Sequence, residues 1–242
     1  GASVNDYNNK DWDEISANIS IGINYWFLHE FVPDIIQIEL ISSKKTYYSE
    51  LIIHIMNKRK NEFKNTIFLI KSNYLLWHKY SNINWILKNI PKELRHNIIF
   101  SKDFPNISSN LNEFKMEYSI LNKIRFFDRN SIFKYDVRAS LGYCTSLLIQ
   151  NKVEKIILCG VDLNNGYHFY DKKTNHYNKL YEINLDEDTD EGIHQTEDKN
   201  FFPLTISDVI YFFNEKFENN LIFLKKKTSS LYPKIKILNE ST

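Results

Sequence analysis

The sequence predicts an α/β fold with a mostly parallel, Rossmann-like sheet that has helices on both of its faces. Short apolar runs alternate along the chain with windows that have the periodicity of amphipathic helices. Most of these runs are continuous, as in the strands of a parallel sheet that is covered on both sides. Hydrophobic residues make up 43% of the 242 residues, which is enough apolar material for a sizeable core. We expect one domain, residues 1–242, with a polar lid over residues 163–200.

Six strands are predicted, each an apolar run bounded by polar or turn residues. They are Ile19–Asn24, Asp34–Ile41, Thr66–Lys71, Asn97–Ser101, Lys155–Gly160 and Leu221–Lys225. Three helices are predicted from apolar stripes at helical spacing. The stripes are Leu51, Ile52, Ile55 and Met56; Val137, Leu141, Cys144 and Leu148; and Ile206, Val209, Ile210, Phe213 and Phe217. The chain opens on a turn, GASVNDY, which in α/β proteins normally follows a strand, so we expect the complete protein to have a strand before it.

Bulk properties exclude several classes of protein. The net charge is +1, which gives no electrostatic reason to expect a nucleic-acid partner. No run approaches the roughly 18 apolar residues of a membrane span, and no signal peptide is recognisable. Cys144 and Cys159 lie in apolar stretches and are predicted to be buried free thiols in a reducing compartment. The sequence has no GxxxxGK[ST], HExxH, CxxC or GxSxG motif, so nucleophilic serine or cysteine hydrolase chemistry has no support.

A carboxylate ends one of the predicted strands. In the stretch Glu154–Asp171, EKIILCGVDLNNGYHFYD, an apolar run stops at Asp162 and is followed by turn residues and then by aromatic and imidazole side chains. Asn-Asn-Gly is ordinary turn chemistry, so one interpretation is a plain strand end. The other is a ligand site, because α/β proteins bind ligands at the carboxyl ends of their parallel strands.

Three further polar residues stand at predicted strand or helix ends. Glu39 lies inside the apolar run IIQIELI and must be paired, exposed at an edge or functional. Asn24 follows ISIGI and is either a ligand contact or a helix cap. Arg138 opens a helix against the macrodipole, which favours an anionic partner near it and Ser140, although a salt bridge with Asp136 explains it as well.

His194 lies in a long acidic segment, Asn184–Lys199, NLDEDTDEGIHQTEDK. Neighbouring carboxylates favour the protonated imidazole, and a histidine placed on a substrate hydroxyl serves as a general base. The alternative is a solvated histidine in a polar loop. The alternating aspartates of this segment have the spacing of an EF-hand loop, but its glycine comes one position late. We therefore expect a lid here and not a calcium site.

Taken in order, these segments resemble the short bacterial sialyltransferases of glycosyltransferase family 42 and related transferases of CMP-activated ulosonic acids. GASVNDY is similar to that family's Gly-x-Gly-x-Ser loop without its first glycine, and ISIGINYWF resembles the strand that ends in a nucleotide-contacting asparagine. VRASLGYCTSLLIQNKVEKIILCGVD resembles the family's Arg-x-x-Ser-Gly helix and the strand after it. GIHQTED is similar to the segment with the catalytic histidine, and KKKTSSL resembles the closing strand and turn. The resemblance spans nearly the whole chain.

The resemblance implies a sialyltransferase variant of the GT-A fold and transfer of sialic acid or Kdo from CMP to a hydroxyl of an oligosaccharide or glycolipid, with no required metal or other cofactor. His194 would be the general base, Asp162 would stand at the ligand edge of the sheet, and Arg138 would bind a carboxylate of the donor or acceptor. The donor and its nucleotide would contact Gly1, Ser3, Asn24, Glu39, Ser140, Gly142, Asn164, Tyr167 and His168.

One departure from the family's pattern keeps other functions open. The pair of tyrosines that holds the donor phosphate corresponds to Asn164 and to Tyr167 or His168. A retaining Kdo transferase with Asp162 or Glu39 as nucleophile is therefore an alternative. Two others are a pterin-type diphosphokinase, which uses ATP and magnesium, and a non-catalytic binding domain on the same scaffold.

The resemblance also implies a place in the cell. The products of such transferases are surface glycans, in lipopolysaccharide or capsule biosynthesis, which are made on the cytoplasmic side. We therefore expect a bacterial cytoplasmic protein that associates peripherally with the inner face of the membrane.

Overall fold

The structure is a computed structural model that describes residues 2–39, 46–71, 83–128, 133–137, 139–162, 169–185, 196–197, 199–200, 203–218, 220–224 and 235–237. Within these ranges the chain is α/β, and its parallel strands alternate with helices in a Rossmann-like arrangement. The predicted fold class is confirmed. No helix in these ranges has both the length and the apolar character that crossing a bilayer requires.

Strands and helices follow one another along most of the chain. The strands are β1 (Ile21–Ile23), β2 (Ile35–Ile38), β3 (Ile67–Lys71), β4 (Ile98–Pro105), β5 (Phe133–Asp136), β6 (Ile156–Leu158), β7 (Leu221–Phe223) and β8 (Lys236–Ile237). The helices are α1 (Asn9–Ser16), α2 (Thr46–Lys58), α3 (Ile83–Asn89), α4 (Leu111–Lys123), α5 (Ser140–Gln150), α6 (Thr174–Tyr181) and α7 (Ile206–Lys216). Short 3-10 turns include Ala2–Asp6, before α1, and Asn24–Leu28, after β1.

All six predicted strands are present, with shifted ends. β1 ends before Asn24 because that residue adopts a left-handed conformation, φ 54°, and Gly160, φ 62°, turns the chain after β6. β4 runs on to Pro105, four residues beyond the predicted end. β5 and β8 are not predicted, because β5 reads FKYD, with no apolar run, and β8 has two residues.

Contacts between Cα atoms divide the chain into two compact units. Unit 1 comprises Gly1–Asp11, Phe104–Lys172 and Glu187–Thr242. Unit 2 comprises Trp12–Asp103 and Lys173–Asp186. The sequence predicts a single domain, and the chain passes between the two units several times.

Unit 2 contains a parallel sheet in the order β1-β2-β3-β4. One of its faces is apolar and fully buried: Ile36 pairs in register with Phe68, and Ile38 with Ile70. α2 buries the predicted stripe of Leu51, Ile52, Ile55 and Met56, each at most 2% exposed. The residues of the predicted stripe therefore pack into the core, as expected from their helical spacing.

Gly22, the middle residue of β1, is required by a close approach. A Cβ at this position would lie 2.5 Å from Cδ1 and Cγ of Trp26. The absence of a side chain lets the 3-10 turn Asn24–Leu28 fold back against β1. The tryptophan ring then stacks on His29 with ring centroids 4.6 Å apart.

Unit 1 contains a second parallel sheet, in the order β6-β7-β8. α5 packs against α7, and both contribute to an aromatic-rich core. Four of the five residues of the predicted α7 stripe, Ile206, Val209, Ile210 and Phe213, are at most 1% exposed, and the fifth, Phe217, is half-buried at the C-cap. β5 lies beside the end of β4, where Asn106 N donates to Asp136 O at 2.9 Å.

Candidate functional site

Within unit 1, the first turn of the chain is hydrogen-bonded to the segment that follows β6. Ser3 N donates to Asp162 Oδ2 at 2.6 Å, a contact between residues 159 positions apart. Asn5 Nδ2 donates to Phe169 O at 2.8 Å. The Ser3 hydroxyl is buried and has no hydrogen-bond partner among the described residues. The structure thus brings together two predicted site residues, Ser3 and Asp162, at the edge of the sheet where α/β proteins bind ligands.

The turn after β6 is held by a half-buried tyrosine, Tyr7. Gly160 N donates to Tyr7 Oη at 3.0 Å. Burial, with the nearby Cys159 thiol, raises the pKa of Tyr7 far above its usual range. Burial also raises the pKa of the Cys159 thiol to about 12. Cys159 therefore stays a neutral thiol at physiological pH and is unsuited to nucleophilic chemistry. Both cysteines, Cys144 and Cys159, are free, and Cys144 is the more buried of the two.

The start of α5 is tightly packed. Ser140 is 4% exposed in its first turn. A Cβ on Gly142 would lie 2.1 Å from Val137 O and 3.2 Å from Ile206 Cδ1. Gly142, predicted to contact the donor, thus has a packing reason to be glycine, because it lets α5 cross the Val137 carbonyl and the first residue of α7.

The first backbone amides of α7 all donate to oxygens of the chain itself. Thr205 and Asp208 form a capping box, in which each backbone N–H donates to the other residue's side chain. Ile206 N donates to Thr196 O at 3.0 Å, and Ser207 N donates to Glu197 Oε1 at 2.6 Å. Burial raises the pKa of Glu197. Thr196 and Glu197, which closely follow His194 in sequence, are therefore fixed to this helix.

Two predicted site residues lie at the carboxyl edge of the sheet in unit 2. Asn24 turns the chain directly after β1. Glu39 Oε1 accepts from Lys71 Nζ at 2.6 Å, and the Lys71 side chain is 3% exposed. Glu39 is thus a paired carboxylate, one of the three outcomes expected for it.

A buried arginine organises the region after β1, and the sequence reasoning missed it. Arg59 Nη1 donates to Phe27 O at 2.8 Å and to His29 O at 2.7 Å, and its Nε donates to Glu62 Oε2. Burial, with nearby cationic groups, lowers the pKa of His29 to about 4, so this histidine is neutral at physiological pH. No sequence signal marks Arg59, because its main partners are backbone carbonyls distant in sequence.

The remaining predicted site residues lie outside the described residues. They are Gly1, Arg138, Asn164, Tyr167, His168 and His194. The aspartates with EF-hand spacing lie there too. Across the ranges that the structure describes, no group of three or more His, Cys, Asp or Glu side chains is placed to hold a metal ion.

Comparison with known proteins identifies no relative of the chain. No family model, no curated protein and no solved structure matches the chain.

Proposed function

We propose that the chain is a glycosyltransferase that moves a keto acid sugar, sialic acid or Kdo, from its CMP-activated donor to a hydroxyl group of an oligosaccharide or glycolipid. The arrangement of Ser3 and Asp162 carries the proposal. The Asp162 carboxylate, which follows β6 and its turn, accepts from the Ser3 amide, and the buried Ser3 hydroxyl has no partner in the described part of the chain. An unpaired hydroxyl at the ligand edge of a parallel sheet suits a polar ligand.

Within this proposal the reaction is a single displacement with inversion. His194, as general base, takes the proton from the acceptor hydroxyl while that oxygen forms a bond to the anomeric carbon of the donor sugar. The bond from that carbon to the phosphate oxygen breaks, and CMP leaves with the electron pair. The donor is already activated, so the protein's task is positioning and stabilisation of charge on the leaving phosphate.

Two carboxylates were candidates for the nucleophile of a retaining enzyme. Asp162 accepts the Ser3 amide, and Glu39 accepts the Lys71 ammonium group, each at 2.6 Å. A carboxylate oxygen engaged by a close donor is a weaker nucleophile, so these contacts favour inversion. The anchoring of Thr196 and Glu197 to α7 gives the proposed base a fixed point two residues away.

Thermal unfolding with a panel of nucleotides tests the proposal first. The panel is CMP, CDP, UDP and GDP, each with EDTA, and ATP with magnesium. A ligand at 100 times its Kd stabilises the fold by about 2.7 kcal/mol, and we expect that shift for CMP selectively. A shift with ATP and magnesium alone would replace the proposal with the diphosphokinase alternative. No shift with any nucleotide would favour the binding domain.

Transfer assays then test the roles of individual residues. We expect CMP release from CMP-sialic acid or CMP-Kdo when an acceptor glycan is present. His194→Ala should abolish transfer and keep the CMP-induced shift in melting temperature. His176→Ala, at a half-exposed histidine of α6, is the matched control and should keep both. Ser3→Ala should reduce the CMP-induced shift in melting temperature. An unchanged shift would show that the unpaired Ser3 hydroxyl does not bind the nucleotide and would leave the proposal without support.

A further inference from the structure

One face of the sheet in unit 2 is polar near its carboxyl edge. The side chains concerned are those of Gln37, Glu39, Lys71, Ser101 and Asp103. Gln37 and Glu39 are two positions apart, as are Ser101 and Asp103, so each pair leaves the same face of its strand. Lys71 pairs in register with Ser101 and is bonded to Glu39, and Ser101 Oγ donates to Asp103 Oδ1. Hydrogen bonds and register thus join β2, β3 and β4 into one polar surface.

Gln37 is the unusual member of this surface. It is 0% exposed, and its register neighbours on either side are the apolar residues Ile23 and Leu69. Neither Oε1 nor Nε2 has a hydrogen-bond partner in the described ranges. Buried side-chain amides are nearly always hydrogen-bonded, because an unpaired one loses its hydration without compensation. An amide so placed therefore indicates a missing partner.

We infer that this surface binds an uncharged ligand with adjacent hydroxyl groups, as on a sugar ring. The Gln37 amide presents an acceptor and a donor side by side, which matches two neighbouring hydroxyls that each donate and accept. Glu39 and Asp103 add carboxylate acceptors. This face carries two carboxyl groups, Glu39 and Asp103, and one ammonium group, Lys71, and this charge balance disfavours an anion. An uncharged sugar therefore suits it better than the nucleotide donor that Glu39 was expected to contact.

An apolar residue on the same face of the sheet is exposed to solvent. The register row of Gln37 continues through Leu69 to Ile99, which is 50% exposed. Ile99 offers an apolar contact for the C–H face of a sugar ring, next to the polar groups that would fix its orientation. A pyranose and the ribose of a nucleoside share this chemistry. A pyranose bound here would be the acceptor of the transfer reaction, and this identification rests on the proposed function.

Gln37→Met tests the inference, because it removes the amide at nearly constant volume. The probes are methyl glucopyranoside, lactose and cytidine, added at increasing concentration to the full chain without CMP. We expect a hydroxyl-bearing probe to raise the melting temperature of the parent protein. In Gln37→Met the ligand-free melting temperature should rise. The Kd of that probe should increase about tenfold or more, as for a lost hydrogen bond in a buried site.

The matched control is Ser49→Ala on α2. Ser49 is 0% exposed, and its hydroxyl has no partner within the part of the chain that the structure covers. This variant should also raise the ligand-free melting temperature, but it should leave the response to the probe unchanged. If Gln37→Met does not fold, Asp103→Asn provides the second test and should weaken binding of the same probe.

The outcomes separate this inference from the proposed function. A response to sugar or cytidine that Gln37→Met loses and Ser49→Ala keeps supports the inference, and the responding probe identifies the source of the hydroxyls. A parent protein that responds to CMP but to none of the uncharged probes overturns the inference and leaves the proposed function standing. A Gln37-dependent response to sugar without any response to CMP supports the inference and removes the transferase.

Discussion

Gly142→Ala should destabilise unit 1, against the usual effect of this substitution in a helix. In an open helix position, alanine in place of glycine stabilises by about 0.5–1 kcal/mol. Here the new Cβ would lie 2.1 Å from Val137 O, where ordinary contact begins at 3.4 Å. The carbonyl cannot move freely, because it accepts from Ala139 N at 2.9 Å. Ile206 Cδ1, at 3.2 Å, closes the other side.

Overpacking of a filled core costs about 1–3 kcal/mol, and a clash with backbone belongs at the upper end of that range. We therefore expect Gly142→Ala to lower the free energy of unfolding by about 2–3 kcal/mol. In a chain of this size that loss lowers the melting temperature by about 4–12 °C. Urea unfolding followed by circular dichroism measures the first quantity, and calorimetry measures the second.

Ser119→Ala on α4 is the control for helix propensity, because Ser119 is exposed in mid-helix. It should change stability by no more than about 0.5 kcal/mol. If Gly142→Ala proved as stable as the parent protein, the packing explanation would be wrong. The glycine would then have to be explained by a ligand that approaches α5 closely.

Three further predictions concern unit 2. Arg59→Met should cost about 3–5 kcal/mol in urea unfolding, because it leaves backbone carbonyls without their buried donor, and a cost below about 1 kcal/mol would refute that role. Lys71→Met should cost about 3 kcal/mol by leaving Glu39 without its cation, and adding Glu39→Gln should restore part of that loss in a double-mutant cycle. The folded-state pKa of His29, about 4, lies below the unfolded value of 6.5, so the unfolded chain binds the proton first as the pH falls. This contribution, about 3 kcal/mol, should be complete above pH 6.5 and lost by pH 4, and a His29→Phe variant that keeps the same pH slope would contradict the assignment.

The local sequence pattern was sufficient to predict the helices whose buried residues recur at helical spacing. The α2 and α7 stripes face the core at the predicted positions, because helical periodicity and burial have the same cause. Strand ends were less accurate, because Asn24 and Gly160 end or turn their strands through positive φ, and the sequence alone does not show which backbone conformation either residue adopts. The division into two units was not predicted, since it depends on contacts between segments far apart in the chain.

The contacts of the candidate site residues were likewise predicted only in part. Pairing was one of the three outcomes expected for Glu39, and Lys71 is its partner because β2 and β3 bring the two residues together on neighbouring strands. Ser3 and Asp162 were both expected at the ligand edge, but their direct contact was not. The sequence does not single out Gln37, because a glutamine in an apolar run becomes unusual only when both of its polar atoms lack hydrogen-bond partners.

The hydrogen bonds at the start of α7 have a consequence for where a phosphate can bind. A helix start commonly attracts anions, because its first amides lack partners and its dipole is positive there. At α7 those amides already donate to oxygens of the chain, two of them to the carboxylates of Glu197 and Asp208. These negative charges offset the positive end of the dipole, so a phosphate would meet repulsion and no free backbone amide among the described residues of this turn. Thr196 and Glu197 therefore close this helix start to nucleotides, and a phosphorylated ligand would have to be held by other groups.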